Sequence, residues 1–382
     1  MTRLTDHWVT APGTGAVMAA LGQGYFVGGC VRNALMRLPA SDIDIATPLL
    51  PDEVVRRLED ANLKVIPTGL AHGTVTAVAD GEPIEVTTFR RDVQTDGRHA
   101  VVAFTDEIAV DASRRDFTMN ALYADASGLV IDPLGGLRDL EARLIRFIGD
   151  PGDRIREDFL RILRFFRFHA WYGAPGIDAD GLAACADLAD GLAGLARERV
   201  GWEFRKLLSA ADPAPAVAAM QVAGVLHRCL PGAEATSLAP LIDAEQRAGR
   251  EPDWRIRLAA LGSDSSASQL KLSRTEERFL EQIRAAQSAA SDAEAAYRQC
   301  RDAAIAAALI RASVTGEDLG PAMQAIDIGA TAVFPLKAKD LIAVGHSPGP
   351  DLGSALRRAE DRWVASGFEL DQAPLIEFVR PK

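Results

Sequence analysis

Strand-forming patterns in this chain stop at about residue 150 of 382. Strands must find partners, and parallel or antiparallel neighbours come from the same stretch. A chain that spends its extended segments early can build one small sheet and must bury everything else between helices. Residues 24–28, GYFVG, read as a short strand running into a glycine turn, and 31–36, VRNALM, as a helix start. A strand is expected over 42–46. A helix follows over 51–62, with Val54, Val55 and Leu58 on one face. Strands are expected at 64–67, 74–79 and 83–89, with Asp80-Gly81 as the hairpin turn between the last two. Residues 90–100, RRDVQTDGRHA, are polar and predict a mobile loop. Beyond 150, residues 158–172 are apolar and aromatic nearly all round, which predicts a buried helix. Helices are also expected over 197–211, 285–311 and 351–366, the last after the break Pro348-Gly349-Pro350. GSDSSAS at 262–268 predicts a loop or linker. No internal repeat is evident. The predicted class is α+β, a small mixed sheet followed by an all-helical remainder.

The segment Ser41-Asp42-Ile43-Asp44-Ile45-Ala46-Thr47 sets an electrostatic problem inside that sheet. Side chains alternate along a strand, so Asp42 and Asp44 are expected on one face, two like charges in an apolar setting. A bound divalent cation would keep both ionised. The plain alternative is a solvated edge strand. Glu85, on a neighbouring predicted strand, is either a third carboxylate of the same group or an exposed strand residue.

Three further signals accompany this one. Gly28-Gly29 before a helix lets backbone amides approach phosphate oxygens, or is simply a tight turn. In Ser113-Arg114-Arg115-Asp116-Phe117-Thr118-Met119-Asn120, two arginines precede an expected helix start capped by Asp116 or Thr118. Asp116 and Asn120 then share a face. Arginine forks suit phosphate and the Asp/Asn pair suits ribose hydroxyls, while an ordinary capped helix with an ion pair explains the same letters. Finally, Asp158 and Arg161 stand three apart on an expected helix. A carboxylate beside a guanidinium accepts on one side and donates on the other. Cytosine and adenine both offer an amine donor beside a ring-nitrogen acceptor, whereas guanine and uracil offer the reverse, so one such pair can separate the two sets. An intrahelical ion pair is the bland reading.

Composition narrows the classes. The net charge is −11, so any nucleic-acid contact must rest on a local basic region. RIREDFLRILRFFR at 154–167 supplies five arginines against two acids. No apolar run approaches the length of about 18 residues needed to span a membrane. The first residues carry no basic region followed by an apolar core. Four scattered cysteines form no metal or disulfide pattern and fit a reducing, cytoplasmic setting.

Taken in order, GGCVRN, SDIDIAT, TGLAHGTVTAV, IEVTTFRRD, RRDFTMNALYAD, DPLGGLRDL, GDPGDRIREDFLRILRFFRF and RERVGWEFRKLL make the chain resemble the class II tRNA nucleotidyltransferases. These are the CCA-adding enzymes, a family shared with bacterial poly(A) polymerases. The similarity runs from about residue 28 to 208 and continues more weakly in FPLKAKDLIAVGHSPGPDLGSALRRAEDRW. It implies a polymerase-beta-like nucleotidyltransferase head (1–145), a helical neck for base selection (146–211), a helical body (212–300) and a tRNA-binding tail (301–382). It implies template-independent addition of C, C and A to tRNA from CTP and ATP. Asp42 and Asp44 would hold catalytic Mg2+, with Glu85 the candidate third ligand. Gly28, Gly29 and Arg32 would contact the triphosphate. Arg115, Asp116 and Asn120 would hold phosphate and ribose, and Asp158 and Arg161 would template the base with support from Glu157 and Arg164. The loop at 90–100 would correspond to the flexible element tied to the change from CTP to ATP. One departure stands out. The family reads GGxVRD, and Asn33 here replaces the final Asp, keeping the acceptor oxygen and losing the charge. A poly(A) polymerase, a CC-only or A-only enzyme, and a catalytically silent tRNA-binding module are the alternative functions.

Overall fold

The computed structural model describes residues 2–39, 42–96 and 99–381. The chain divides into two compact units, Met1–Pro231 and Gly232–Lys382. The strands in chain order are β1 (Tyr25–Val27), β2 (Asp44–Thr47), β3 (Lys64–Gly69), β4 (Thr74–Ala79), β5 (Glu82–Thr88), β6 (Arg90–Asp96), β7 (His99–Phe104), β8 (Tyr123–Ala124) and β9 (Val130–Ile131). Seven of them form one mixed sheet in the order β3-β4-β5-β2-β1-β8-β9, in which only the β2–β5 pair is parallel. Alternation decides which face is inside. Val75, Ala77 and Ala79 of β4 and Ile84, Val86 and Thr88 of β5 are buried, and the residues between them are not. The parallel register sets Asp44 directly beside Glu85. As predicted, a tight turn links β4 to β5, with both Asp80 (φ 53°) and Gly81 (φ 85°) in the left-handed region that two-residue hairpins favour.

Helices α1 (Pro12–Leu21), α2 (Gly29–Leu35), α3 (Pro51–Asp60), α4 (Ile108–Ser113) and α5 (Gly136–Glu141) accompany the sheet. The helix predicted at 51–62 forms as α3 and buries Val54 and Leu58, with Val55 half-buried. Then come α6 (Pro151–Glu157), α7 (Leu160–Tyr172), α8 (Ala179–Asp187) and α9 (Arg197–Leu208). Helix α7 buries Leu160, Ile162, Leu163, Phe165, Phe166 and Phe168. Its aromatic face meets Phe117 and Phe147, with ring centroids 5.0 Å apart for Phe117–Phe168 and 5.4 Å for Phe147–Phe165. That aromatic cluster fixes the middle of α7 against Phe117 and Phe147, which helps build the site described below.

Several sequence expectations need correcting. The strand expected at 42–46 starts at Asp44, so Asp42 precedes it, and Ser41 lies outside the described residues. Residues 90–100 are not a loop. They belong to the β6–β7 hairpin, with 97–98 outside the described residues. No helix starts near Asp116. Helix α4 ends at Ser113 and a single 3-10 turn spans Thr118–Asn120. The helix expected at 158–172 is broken at its first residue, where Asp158 is extended (φ −155°, ψ 106°) between α6 and α7.

The second unit is helical throughout its described residues. The alanine-rich stretch at 285–311 falls into three helices, Arg274–Gln287, Asp292–Arg298 and Arg301–Thr315. Ser291 and Cys300 side chains accept from Glu294 and Ala303 amides and so start new helices. The GSDSSAS stretch is not a linker, because Ser263 and Ser266 are buried and Ser266 Oγ donates to the Ser263 carbonyl at 2.7 Å. A buried Arg257–Glu245 pair (2.7 Å) and a cluster around Trp363 complete this unit's interior. Among the described residues, no helix is long and apolar enough to cross a membrane.

Candidate active site

Strand β1 ends in Gly28, whose backbone (φ 74°, ψ −122°) is one that side-chain-bearing residues avoid. The turn it makes exposes Gly28 and Gly29 to a cavity of about 410 Å3. The cavity brings together every sequence-predicted site residue except Asp42, Glu85 and the supporting Glu157. Arg32, Arg114, Arg115, Arg161, Arg164 and Arg199 line it against only three acids, Asp44, Asp116 and Asp158. On a chain of net charge −11, this concentration of guanidinium groups suits a polyphosphate.

Asp44 stands at the edge of the cavity. Burial, followed by the nearby Glu85 charge, pushes its carboxyl up to about 6, with Asp42 adding to the rise and Arg115 opposing it. Asp42 is exposed, precedes the strand and lines a neighbouring cavity with Ile43 and Asp80, while its charge still acts on Asp44. Glu85 is exposed beside Asp44. Among the described residues, no group of three or more His, Cys, Asp or Glu side chains stands ready to hold a metal by itself.

The opposite wall is a continuous hydrogen-bond network. Arg32 Nη1 donates to Asn120 Oδ1 at 2.6 Å, and Asn120 Nδ2 donates to Asp116 Oδ1 at 2.9 Å. Asp116 Oδ2 accepts from Arg164 Nε at 2.8 Å and Nη2 at 2.5 Å. Burial by itself would raise the Asp116 carboxyl, but Arg164 and Asn120 outweigh it and hold it down to about 2. Arg32 is also held from below. Its Nη2 donates to Tyr172 Oη at 2.8 Å and its guanidinium lies 4.1 Å from the Tyr172 ring centroid. Asn33, the departure noted above, accepts from Arg32 Nη2 (2.8 Å) and Nε (3.1 Å) and donates Nδ2–H to the Pro39 carbonyl at 2.9 Å. The last bond needs an amide donor, which an ionised aspartate lacks.

Asp158 and Arg161 line the same cavity but do not pair with each other. Asp158 Oδ2 accepts from Arg199 Nη2 at 2.7 Å and Oδ1 from the Leu160 amide at 3.1 Å. Arg161 Nη1 donates to Glu157 Oε2 at 2.5 Å and to the Arg154 carbonyl at 2.8 Å. The helix break at Asp158 explains this, since i,i+3 pairing requires both residues within one helix. Sequence reasoning missed Arg199, Tyr172 and Asp111. Asp111 is fully buried, and burial, which would raise its carboxyl, is overcome by Arg115 and Arg114, so it titrates below the usual range. It accepts from Arg114 Nε (2.8 Å), Arg115 Nη2 (3.1 Å) and Tyr123 Oη (2.7 Å), and so anchors both arginines. Only Asp111 carried a local signal, its i+3 and i+4 spacing to that pair.

Comparison with known proteins agrees with this layout. Residues 24–146 match the poly A polymerase head domain family, and residues 176–236 match the family described as the probable RNA and SrmB- binding site of polymerase A. The CCA-adding enzyme of Lacticaseibacillus paracasei is 34% identical over 92% of this chain and 90% of its own length. The mitochondrial CCA tRNA nucleotidyltransferase 1 of Mus musculus is 31% identical over 92% of this chain and 85% of its own. Among solved structures, the Bacillus stearothermophilus CCA-adding enzyme in complex with CTP superposes with a TM-score of 0.75 at 28% identity, covering 97% of both chains. The Thermotoga maritima CCA-adding enzyme complexed with tRNA shares the fold, with a TM-score of 0.71 at 19% identity.

Proposed function

The chain belongs to the class II CCA-adding tRNA nucleotidyltransferases, and on that premise we propose that it adds C, C and A to the 3′ end of tRNA from CTP and ATP. The observation that carries the reading is one cavity in which arginines face a strained carboxylate on one side and Asp158 with Arg161 on another. The RNA 3′-hydroxyl attacks the α-phosphate of the bound triphosphate, forming the new phosphodiester and releasing pyrophosphate. Arg32, Arg115 and the Gly28-Gly29 backbone neutralise and orient the phosphates, and Asp116 with Asn120 receives the ribose. Asp158 accepts from the exocyclic amine of cytosine or adenine. Each carboxylate oxygen has a second lone pair beyond the bonds it already makes. Arg161 donates to the adjacent ring nitrogen while Glu157 holds its fork.

Asp44 and Asp42, with Glu85 beside them, would hold Mg2+. The donors are all oxygen, and a cation relieves the like charges that keep Asp44 from ionising freely. Phosphate and water oxygens would complete such a shell. An ion held there would lower the hydroxyl pKa and offset developing charge. We assign residues 1–145 to the catalytic head, 146–211 to the base-selecting neck, 212–300 to the body and 301–382 to a tRNA-binding tail. The free cysteines suit a reducing compartment such as the cytoplasm.

The test uses tRNA ending at the discriminator base, at CC or at CCA, with single labelled nucleotides. Stepwise addition of two C residues and one A, stopping there, is expected. Long A tracts would identify a poly(A) polymerase, and a halt after CC or a requirement for CC would identify a partial enzyme. Asp42→Ala should nearly abolish incorporation with its melting temperature unchanged, since Asp42 is exposed. Near-normal incorporation by that variant sinks the metal assignment.

A further inference from the structure

Helices α7 and α9 pack side by side and leave two tryptophans in solvent, Trp171 and Trp202, each 47% exposed. Trp202 is the more unusual because cations surround it. Lys206 Nζ lies 3.7 Å from its ring centroid, and the Arg167 guanidinium lies 5.6 Å from it. Arg167 also sits 4.7 Å from the ring of Phe168, which lines the active-site cavity. Trp202 is therefore linked to that cavity through Arg167 and Phe168. Beneath the patch, Glu203 is buried with its Oε2 2.6 Å from Arg167 Nε, which fixes the arginine in place. The Trp171 indole N–H donates to the Lys206 carbonyl at 2.7 Å and ties the two helix ends together. Burial, then Arg167, lowers the pKa of the Lys206 ammonium.

An exposed indole flanked by two cations is the chemistry that binds unpaired nucleotides. The ring stacks on a base of any identity while the exposed Lys206 ammonium meets a phosphate, and Arg167, paired with Glu203, lies beside the ring. It is a poor fit for a double helix, whose bases are already stacked, and the chain's overall charge of −11 disfavours general attraction of RNA elsewhere. We propose that Trp202, with Lys206 and Arg167, is the platform on which a base of the single-stranded 3′ end of the RNA substrate stacks, holding the terminal hydroxyl beside the nucleotide cavity. The proposal rests on the RNA-extending reading above and adds the place where the growing end is held. Trp202 is a positioning residue in this scheme, with no part in the bond-making step.

The experiment uses the full chain in two assays. In the first, metal is removed with EDTA, and a short fluorescein-labelled single-stranded oligonucleotide ending in CC is titrated while its fluorescence anisotropy is followed, in wild type, Trp202→Ala and Trp202→Phe. In the second, KM for tRNA and KM for CTP are measured separately. Trp202→Ala should weaken oligonucleotide binding and raise KM for tRNA about tenfold, with KM for CTP unchanged, and Trp202→Phe should stay within about threefold of wild type. Circular dichroism should be the same for all three, because the indole is half in solvent. Equal oligonucleotide affinity in wild type and Trp202→Ala overturns the proposal, as does an effect confined to CTP. If the wild-type chain extends no RNA, the functional reading fails, and the metal-free titration still decides the stacking platform.

Discussion

Asp44→Asn should make the metal-free protein more stable while removing its activity. The carboxyl of Asp44 is pushed from an ordinary 3.8 up to about 6, first by burial and then by Glu85. The folded unit thus binds this proton more tightly than the unfolded chain does. The ionised form costs nothing below about pH 4, costs progressively more between about 4 and 6, and carries its full penalty above that. At about 1.4 kcal/mol for each tenfold change in proton affinity, the rise amounts to a penalty of about 3 kcal/mol, and an amide of the same shape removes it. At pH 8 we expect Asp44→Asn to gain about 1–3 kcal/mol, with the gain vanishing near pH 4. Because the chain has two units, a single melting temperature mixes them. Hydrogen exchange on peptides covering β1 and β2 reads the relevant unit directly, the slowest amides reporting its opening free energy. Adding millimolar Mg2+ should then protect wild type more than the variant. No gain at pH 8, or a gain that persists undiminished to pH 4, refutes the electrostatic account. Equal Mg2+ protection in both proteins refutes Asp44 as a ligand.

Two other substitutions probe the remaining walls of the cavity. Asp158→Ala should blur the choice among the four nucleoside triphosphates, since it removes the acceptor for an exocyclic amine and leaves Arg199 without its partner; unchanged discrimination in single-nucleotide incorporation would rule out protein-templated base selection. Gly28→Ala places a side chain on a backbone at φ 74° with its Cβ 3.5 Å from Arg115 Nη1, so we expect a loss of about 1–3 kcal/mol and a raised KM for CTP, read by calorimetry and steady-state kinetics.

Much of the head was legible from local pattern. The alternation in β4 and β5, the Asp80-Gly81 turn and the spacing of α3 each follow from interactions within a few residues, and each formed as expected. The hairpin at 90–104 was hidden by its polar composition, although Asp96-Gly97 followed by a strand-like AVVAF was a usable signal. The Asp116–Asn120 contact was anticipated for the wrong reason. The four-residue spacing suggested a helix, and a bend closed by a single 3-10 turn produces the bond instead. The grouping of Asp158 with Arg161 in one cavity was readable, as was Glu157 as support for Arg161, but Arg199 as the partner of Asp158 was not.

By itself the sequence determined the class of fold, the point at which strands cease, and the residue types available for phosphate, ribose, base and metal. Those properties depend on composition and near-neighbour spacing. The tertiary structure decided which charge meets which. Arg32 rests on Tyr172 across 140 positions, Arg164 answers Asp116 across 48, and Arg199 takes Asp158 across 41. No helical or strand period encodes such pairs. The first two arise because aromatic packing of α7 on Phe117 and Phe147 brings that helix against the polar side chains of Arg32 and Asp116. Tertiary packing likewise turns Asp44 into a strained carboxylate, since burial removes water from it and the β2–β5 register sets the Glu85 charge beside it.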